Sequence, residues 1–503
     1  MDLRRFALPS PADVVFILFL LSVTLLRGRQ AINTDGDLGR HIRVGETILA
    51  ERGLFYTDRF SHTMAGEPFV PHEWLSEVLF AAAHRLAGLP GALVLTGIVV
   101  AAAYALALLF LQRSGVDPLL AFATAIAAGL LGAVHWLARP HVFTLLGAVA
   151  TLWLLERGGR RAPLAAVGIF ALWVNLHGGF LYGLVLIGLY LVGDALEIRW
   201  GHGRAHWVGR LRQHGVVLAG ALAGALINPS GPGLLMHVTG YLGKGYLVDR
   251  TAEYQSPDFH ALYGRIFLMV VLGVVAALAL GGRRPAFPRL VAVLANLAFA
   301  LMAIRNIPLF GLVALPLVVL HLAGGAAAPR SPLLDRLRVR FAEAARSASF
   351  GAWSAGVAGL LLVAAAAQWA PGGRPLVQAG FDPNAFPVEA VARARAAGIS
   401  GPVFNEFTWG GYLLYAWPEQ KVFIDGQTDF YGEQLTREYA TIRETGEGWQ
   451  EALARRGVEL MLLPPDAPLV RALSKSPSWR MQYVDATAAL LQHRPALEDH
   501  RTP

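Results

Sequence analysis

Two aspartates stand close together in the first polar stretch of the chain. Asp35 and Asp37 are separated by one glycine and follow an apolar segment. A carboxylate in such a position can act as a general base or bind a divalent cation through its oxygens. The sequence Asp-Gly-Asp also matches a turn or a helix cap, which would give both side chains a structural role. The residues alone leave both interpretations open.

A second acidic group begins the next apolar segment. His72 and Glu73 are followed by Glu77, and because the two glutamates are four residues apart they share one face of a predicted helix. This group can bind a substrate, or His72 and Glu73 can cap the helix. The spacing differs from the H-E-x-x-H signature and therefore does not indicate that kind of zinc site.

Basic residues form a third set. Arg139 and His141 flank a proline, and Arg305 lies between two later apolar segments. An arginine near the end of a membrane span needs a partner, either a carboxylate of the protein or a bound phosphate. The carboxylates that could form internal salt bridges with these arginines are Asp37, Glu73 and Glu253.

Four further polar or aromatic residues are candidates for substrate binding. Asn175 and His177 precede a pair of glycines, a pattern that also suits a helix end with broken backbone. Trp409 and Asp425 lie in segments of the last third that are rich in aromatic rings, carboxylates and amides. Such segments suit sugars, whose C–H faces stack on rings, although two strand-to-helix turns would have a similar composition.

Long apolar segments must position these residues. Of the 503 residues, 55% are hydrophobic and 16% are charged, whereas soluble domains carry about 25% charged residues. Apolar runs of this length predict membrane spans, and hence a mainly α, polytopic bundle of about eleven transmembrane helices. The predicted spans are 12–28, 89–111, 118–136, 141–156, 162–176, 178–196, 214–228, 264–281, 288–304, 307–323 and 350–369.

The distribution of arginine predicts the orientation in the membrane. Arginines collect in alternate loops, and Arg4 and Arg5 precede the first span, so the positive-inside rule puts the N-terminus in the cytoplasm. Eleven spans then place the tail outside, in a multi-pass protein of the inner (plasma) membrane. The net charge of +8 follows from this topology, and we expect the lipid bilayer, not nucleic acid, as a partner.

The predicted domains are a transmembrane domain, residues 1–370, and a soluble extracytoplasmic α/β domain, residues 371–503. Residues 29–88 form the first extracytoplasmic loop, and the spacing of apolar residues predicts a helix over Asp37–Glu51. In the tail, strand-like runs alternate with helical stretches, which predicts a small, partly parallel sheet. The predicted strands are Val403–Phe404, Lys421–Ile424, Val458–Leu463 and Ala488–Leu491.

The whole pattern resembles bacterial polytopic membrane proteins described as glycosyltransferase-like, and through them the GT-C superfamily of lipid-dependent glycosyltransferases. The resemblance extends over nearly the whole chain, which has no cysteine, no P-loop and no Gly-x-Ser-x-Gly elbow. The segments that carry it are Asp35–Asp37, His72–Leu75, Arg139–His141, Asn175–Gly179, Trp409–Tyr412 and Phe423–Gly426.

This resemblance implies transfer of a sugar from a polyprenyl-phosphate carrier to a glycan or lipid acceptor on the extracytoplasmic face. Asp37 or Asp35 would be the catalytic base or a metal ligand, and Arg139, His141 and Arg305 would lie near the carrier phosphate. Where a cofactor is used, the resemblance implies Mg²⁺ or Mn²⁺. The His72–Glu73 pair departs from the acidic pair of the superfamily, so the resemblance does not establish a metal requirement.

Two other functions compete with sugar transfer. A transporter of lipid-linked glycans predicts charged residues midway along the spans and repeat symmetry between the halves, whereas this sequence places its unusual charges near span ends. A non-catalytic scaffold that binds a cell-envelope partner would tolerate Asp37→Asn.

Overall fold

The chain divides into two compact units. The computed structural model describes residues 8–243, 245–282, 284–323, 332–347 and 349–494, so Arg4, Arg5 and the last nine positions of the predicted tail domain lie outside it. Unit 1 comprises Met1–Gly28, Leu86–Leu235 and Asp249–Gln378, and unit 2 comprises Arg29–Arg85, Met236–Val248 and Ala379–Pro503.

Helices dominate the described residues. The first eleven are α1 (Pro11–Leu21), α2 (Gly28–Asn33), α3 (Asp37–Glu51), α4 (Trp74–Arg113), α5 (Pro118–Gly132), α6 (Val142–Arg157), α7 (Ala162–Leu176), α8 (Phe180–Trp200), α9 (Arg204–Ala225), α10 (Pro232–Leu242) and α11 (Gly245–Arg250). The others are α12 (Leu262–Leu280), α13 (Phe287–Met302), α14 (Ile307–Leu309), α15 (Leu315–Ala323), α16 (Pro332–Ser347), α17 (Ala352–Ala366), α18 (Val388–Ala396), α19 (Gly410–Ala416), α20 (Thr428–Arg443), α21 (Trp449–Arg455) and α22 (Pro468–Leu473). A turn of π-helix, Ser22–Leu26, extends α1, and another, Phe310–Ala314, joins α14 to α15.

Five helices of the described ranges are long and apolar enough to cross a membrane. They are Trp74–Arg113, Pro118–His135, Phe180–Trp200, Leu262–Leu280 and Ile304–Ala323. Shorter apolar helices are Pro11–Leu26, Ala162–Leu176, Phe287–Met302 and Ala352–Ala366. A helix covers each predicted span, and large apolar side chains such as Leu164, Leu272 and Leu360 are exposed, as lipid contact requires. The mainly α, membrane-type architecture is confirmed, and the count of eleven crossings stays a prediction.

Small residues let the helices of unit 1 approach closely. On α9, a Cβ at Gly224 would overlap the carbonyl oxygen of Val167 on α7, and a Cβ at Gly220 would overlap that of Pro163. Close backbone approach of this kind gives dispersion contacts, which hold helices together where lipid removes the hydrophobic driving force.

Unit 2 contains a four-stranded sheet formed by the tail. Its strands are β1 (Val403–Asn405), β2 (Leu460–Leu463), β3 (Trp479–Val484) and β4 (Ala489–His493), in the order β1-β2-β4-β3. β1 and β2 are parallel and the other pairs antiparallel, so the predicted small, partly parallel sheet is confirmed. Its buried face packs with residues of the first loop, because Val44, Ile48 and Phe69 share one core with the strand residues Val403 and Leu462.

The predicted strand over Lys421–Ile424 is wrong. Val422 forms only an isolated bridge with Ser61, while the side chain of Asn405 accepts a hydrogen bond from the Phe423 backbone N–H and donates one to the Ile424 carbonyl. The Thr63 hydroxyl donates to the Phe423 carbonyl at 2.6 Å. Side chains therefore satisfy the backbone groups that a strand partner would otherwise satisfy.

Glycines allow α3 and α19 to touch. A Cβ at Gly36 would lie 2.6 Å from the carbonyl oxygen of Thr408, and a Cβ at Gly39 would overlap the carbonyl oxygen of Gly411. The start of α3 therefore packs backbone to backbone against the start of α19, which fixes the position of Asp37.

We expect Gly39→Ala to destabilise unit 2. A methyl group there must displace the Gly411 backbone, and overpacking of this kind costs about 1–3 kcal/mol, more than the roughly 1 kcal/mol that alanine gains over glycine in a helix. Thermal unfolding of the purified protein in detergent should show a midpoint lower by a few degrees. Gly380→Ala is the matched control, because a Cβ at Gly380 meets nothing within 4 Å. Equal midpoints for the two variants would contradict the packing argument.

Candidate functional site

The two aspartates of the Asp-Gly-Asp motif differ in their surroundings. Asp35 Oδ1 accepts a hydrogen bond from the backbone N–H of Asp37 at 3.2 Å, so Asp35 caps the start of α3. Asp37 is the first residue of that helix, where the helix dipole favours a negative charge. Its carboxylate lies so close to Gly426 that a Cβ there would overlap Asp37 Oδ1. The structure therefore gives Asp35 a capping contact and brings Asp37 beside the Asp425–Gln427 segment.

A buried arginine lies one turn further along α3. Arg40 is 5% exposed and donates a short hydrogen bond from Nη2 to Gln427 Oε1. Its Nη1 is 3.5 Å from Glu77 Oε1, and its Nε is 3.8 Å from Asp425 Oδ1. Burial lowers the pKa of Arg40, but the attraction of Glu77 and Asp425 outweighs burial, so the pKa is raised and the guanidinium stays charged.

Asp425 is held on several sides. Its Oδ1 accepts the backbone N–H of Gln427 at 2.9 Å, and its Oδ2 accepts the hydroxyl of Tyr431 at 3.1 Å. Burial raises the pKa of Asp425 to about 6, because it outweighs the opposing effect of Arg40, and the charge of Asp37 adds to the rise. A carboxyl group with such a pKa exchanges its proton near neutral pH, which suits acid–base work.

Glu73 precedes α4 and Glu77 lies in its first turn, and both lie close to His41 of α3. His41 Nδ1 is 3.4 Å from Glu77 Oε1 and 4.0 Å from Glu73 Oε2. His72 Nε2 is 3.8 Å from Glu73 Oε1. The structure thus brings the predicted residues His72 and Glu73 into the group that surrounds Arg40.

Asp429 joins this group from the first turn of α20. Its Oδ2 is 2.9 Å from His237 Nε2 and 3.9 Å from His72 Nδ1. Burial raises the pKa of Asp429, but His72 and His237 outweigh it and lower the value to about 2. Burial likewise lowers the pKa of His72, and the nearby Glu73 and Asp429 raise it above its usual value.

Trp409 has a packing role in the structure. Its side chain is 4% exposed and belongs to the core of unit 2. The indole Nε1–H donates to the carbonyl oxygen of Ala385 at 2.9 Å. Both the ring and its polar edge therefore have contacts within the core.

A separate cluster lies in unit 1 around one carboxylate. Arg305 Nη1 donates to Glu253 Oε1 at 2.9 Å, while Arg139 Nη1 is 3.7 Å and His135 Nε2 is 3.4 Å from Glu253 Oε2. The guanidinium of Arg305 also lies over the ring of Tyr254, 4.5 Å from its centroid. Burial raises the pKa of Glu253, but the two arginines outweigh it and lower the value to about 2. Two permanent positive charges thus share one negative charge.

The other predicted residues of unit 1 are His141, His177 and Asn175, and their hydrogen bonds differ. His141 Nε2 donates to the backbone carbonyl of His135 at 3.0 Å, and its Nδ1 has no hydrogen-bond partner among the described residues. His177 Nδ1 accepts from the backbone N–H of Gly179, so its proton is on Nε2. Asn175 instead donates to the carbonyl of Ile227 at 2.8 Å, a contact that joins the ends of α7 and α9.

Sequence reasoning missed three members of the two sites, Arg40, Asp429 and His237. Arg40 follows Asp37 by three residues, and this helical spacing was the available signal. Asp429 follows Asp425 by four residues within one polar segment. His237 had no local signal, and Glu253 was considered only as a salt-bridge partner, which the structure shows it to be for both arginines.

Solved structures with a similar fold come from two kinds of glycosyltransferase. The Archaeoglobus fulgidus oligosaccharyltransferase in its apo form has a TM-score of 0.56 and 13% identity, over 90% of this chain and 69% of that chain. Archaeoglobus fulgidus AglB, in complex with an inhibitory peptide and a dolichol-phosphate, has a TM-score of 0.55 and 12% identity, over 90% and 68%. ArnT from Cupriavidus metallidurans, bound to undecaprenyl phosphate, has a TM-score of 0.51 and 14% identity, over 95% and 97%. No family model and no curated protein sequence matches the chain. The chain has the GT-C fold, as the motifs predicted.

We expect Asp425→Asn to change the pH dependence of stability. Between about pH 4 and pH 6 the unfolded chain has lost the proton of Asp425 while the folded protein keeps it, so the contribution of Asp425 to the free energy of unfolding falls as pH rises and is constant above about pH 6. The unfolding midpoint of the wild type minus that of Asp425→Asn should therefore decrease from pH 4 to pH 6 and then level off. Thermal unfolding of both proteins in detergent at stepped pH measures this difference.

The exposed Asp466 provides the control, since Asp466→Asn removes one carboxylate of the same unit from the surface. A wild-type-minus-variant difference for Asp425 that is flat from pH 4 to pH 6 would contradict the raised pKa.

Proposed function

We propose that this chain is a membrane glycosyltransferase of the GT-C fold that moves a sugar from a polyprenyl-phosphate carrier to a glycan or lipid acceptor. The reaction takes place on the extracytoplasmic face of the inner membrane, with the N-terminus in the cytoplasm. The observation that carries the proposal is the Glu253 cluster of unit 1, in which two arginines share one carboxylate.

The charge of this cluster fits a phosphate. With neutral histidines, Arg139, Arg305 and Glu253 sum to one net positive charge, so an arriving phosphate gains attraction that Glu253 does not cancel. Both arginines are partly exposed, 24% and 21% of their side chains, so an anion can reach each guanidinium. Guanidinium binds phosphate oxygens through paired hydrogen bonds, and His177, with its proton on Nε2, adds a donor.

Sugar transfer requires one bond to form as another breaks. The acceptor hydroxyl oxygen attacks the anomeric carbon of the sugar, and the bond from that carbon to the phosphate oxygen breaks. Asp37 takes the hydroxyl proton, and the polyprenyl phosphate leaves with the bonding electrons and one additional negative charge. Arg139 and Arg305 stabilise that charge, which is larger in the transition state than in the bound donor, and such differential stabilisation accelerates the reaction.

One buried pair of ionisable residues bears on the transporter alternative, but its contacts indicate a role in helix packing. Asp194 and His214 are fully buried within unit 1, with His214 Nδ1 2.6 Å from Asp194 Oδ2. The other ring nitrogen of His214 lies 3.1 Å from the carbonyl oxygen of Leu155. Both ring nitrogens therefore fasten α9 to its neighbours α8 and α6, a static role that helix packing explains.

We expect Arg305→Ala and Arg139→Ala to weaken binding of undecaprenyl phosphate. Each variant loses charge-assisted hydrogen bonds worth about 1.5–3 kcal/mol, which corresponds to roughly 10–100-fold in Kd. Native mass spectrometry of the full-length protein, titrated with undecaprenyl phosphate, measures the affinity. Arg284→Ala is the control, because Arg284 also pairs with a carboxylate of unit 1, that of Glu197. Unchanged affinity in both test variants, or equal loss in the control, would remove the phosphate role.

We expect Asp37→Asn to abolish transfer while the carrier still binds. Loss of a general base typically lowers the rate about 10²–10⁴-fold, and the amide keeps the shape that Gly426 accommodates. The assay measures release of undecaprenyl phosphate from lipid-linked sugars in membranes that contain the purified protein, with Asp466→Asn as the control. Full activity of Asp37→Asn would contradict the role of Asp37 as the base, and absence of transfer by the wild type itself would support the scaffold.

A further inference from the structure

Two histidines and an aspartate of unit 2 converge from distant parts of the sequence. One ring nitrogen each of His72 and His237 and one carboxylate oxygen of Asp429 lie within 4.8 Å of one another. His237 and Asp429 are 192 residues apart in the chain, and Asp429 Oδ2 is 2.9 Å from His237 Nε2. The two imidazole rings lie 5.5 Å apart, centroid to centroid. Three separate chain segments thus present metal-binding atoms to one point.

We propose that His72, His237 and Asp429 bind a divalent transition-metal ion that prefers imidazole, with zinc as the probe. Two imidazoles and one carboxylate are a common ligand set for such ions, at about 2.0–2.2 Å from the metal, and leave a coordination position open. Mg²⁺ and Ca²⁺ prefer ligand sets composed of oxygens, so this site differs from the carboxylate-held Mg²⁺ or Mn²⁺ that the family resemblance implied.

The surroundings of the three side chains support this ligand set. The nitrogen of His72 that faces the cluster is Nδ1, which lies 3.9 Å from Asp429 Oδ2 and 3.2 Å from the backbone carbonyl of Val70. Metal-binding histidines almost always donate their second N–H to a carbonyl or carboxylate. The second ring nitrogen, Nε2, lies 3.8 Å from Glu73 Oε1. Glu73 is therefore the carboxylate beside the second nitrogen of His72 when Nδ1 binds the ion.

The three ligands are already positioned before an ion arrives. The Tyr241 hydroxyl on α10 and the Thr428 hydroxyl at the start of α20 are 3.0 Å apart, so these helices are joined one residue from Asp429. The side chains of His72, Asp429 and His237 are 14%, 18% and 24% exposed, which leaves a path for an ion. Ligand atoms of a tetrahedral ion lie about 3.3 Å apart at these bond lengths, so only small side-chain rotations are needed.

Two protonated histidines that share one aspartate are the competing explanation. That arrangement requires both rings to carry a proton, whereas a ring that binds a metal ion must give up the proton of its ligand nitrogen, so the two explanations differ in the protons bound. A metal ion would bind to the same three converging side chains, with both imidazole rings neutral. It would also tie the first loop, α10 and the tail together, which stabilises the folded unit by the free energy of binding.

The test measures bound metal and does not depend on sugar transfer. Full-length protein without a polyhistidine tag is stripped with a chelator, incubated with zinc and dialysed, and its metal content is determined by inductively coupled plasma mass spectrometry. We expect about one zinc ion per wild-type chain, and at least tenfold weaker binding for His237→Ala and Asp429→Asn. Zinc should raise the thermal unfolding midpoint of the stripped wild type and not that of the two variants.

His84→Gln is the matched control. His84 lies in the same unit, is partly buried and pairs with Glu46 at 3.2 Å, yet is outside the cluster, so this variant should retain zinc. Equal unfolding midpoints of the stripped variants and stripped wild type show that the variants fold. Zinc retained by His237→Ala at wild-type affinity, or wild-type protein that binds no zinc or binds only Mg²⁺ or Ca²⁺, overturns the proposal. Because metal content is the readout, failure here leaves the carrier-binding test unaffected.

Discussion

A buried guanidinium determines how unit 2 is built around its polar residues. Arg40 is 5% exposed, and an ion removed from water costs several kcal/mol unless its hydrogen bonds and charge are satisfied. Its partners Glu77, Asp425 and Gln427 come from the start of α4 and from the tail. The first loop and the tail therefore meet at Arg40, because Asp425 and Gln427 of the tail complete the contacts that Glu77 of the first loop begins.

Close backbone approach makes that meeting possible. The contact between α3 and α19 depends on Gly36, Gly39 and Gly411, and Gly426 lets the tail segment pass beside the Asp37 carboxylate. Asn405 then holds this segment by two backbone hydrogen bonds. The glycines allow the short distances between these segments. The charge of Arg40 makes those distances favourable.

The spacing of apolar residues along the sequence predicted those parts of the fold that depend on neighbouring residues alone. The helix over Asp37–Glu51 followed from apolar spacing and has the predicted bounds, and each predicted span is helical because apolar length alone determines that. The strand Trp479–Val484 escaped prediction because most of its side chains are exposed and the polar Arg480 and Gln482 interrupt its apolar residues. The false strand at Lys421–Ile424 has strand-like composition, and residues distant in the sequence decide its hydrogen bonding: the side chains of Asn405 and Thr63 and the backbone of Phe60 and His62.

The residues of the candidate sites could be predicted where residue type alone identified them, but their contacts with distant residues could not. Asp37, His72, Glu73, Arg139, Arg305 and Asp425 stood out as polar residues beside apolar segments, since a residue's own type is visible in the sequence. The convergence of His237 on Asp429 could not be predicted, because 192 residues separate them and no periodicity links them. Burial of Arg40 was equally hidden, since an arginine on a helix is ordinarily solvated.

The charge balance of the two clusters limits what each can bind. In unit 2, the carboxylates of Glu73, Glu77, Asp425 and Asp429 act on Arg40, so acid exceeds permanent base, and such a cluster attracts cations and protons but repels phosphate. In unit 1, Arg139 and Arg305 outnumber Glu253, so that cluster attracts anions and would repel a metal ion. The proposed phosphate-linked donor therefore suits the unit 1 cluster, whereas the proposed removal of an acceptor proton and the proposed binding of a metal suit unit 2. The proposed sugar transfer needs both signs of charge, and the chain supplies an excess of each sign in a different unit.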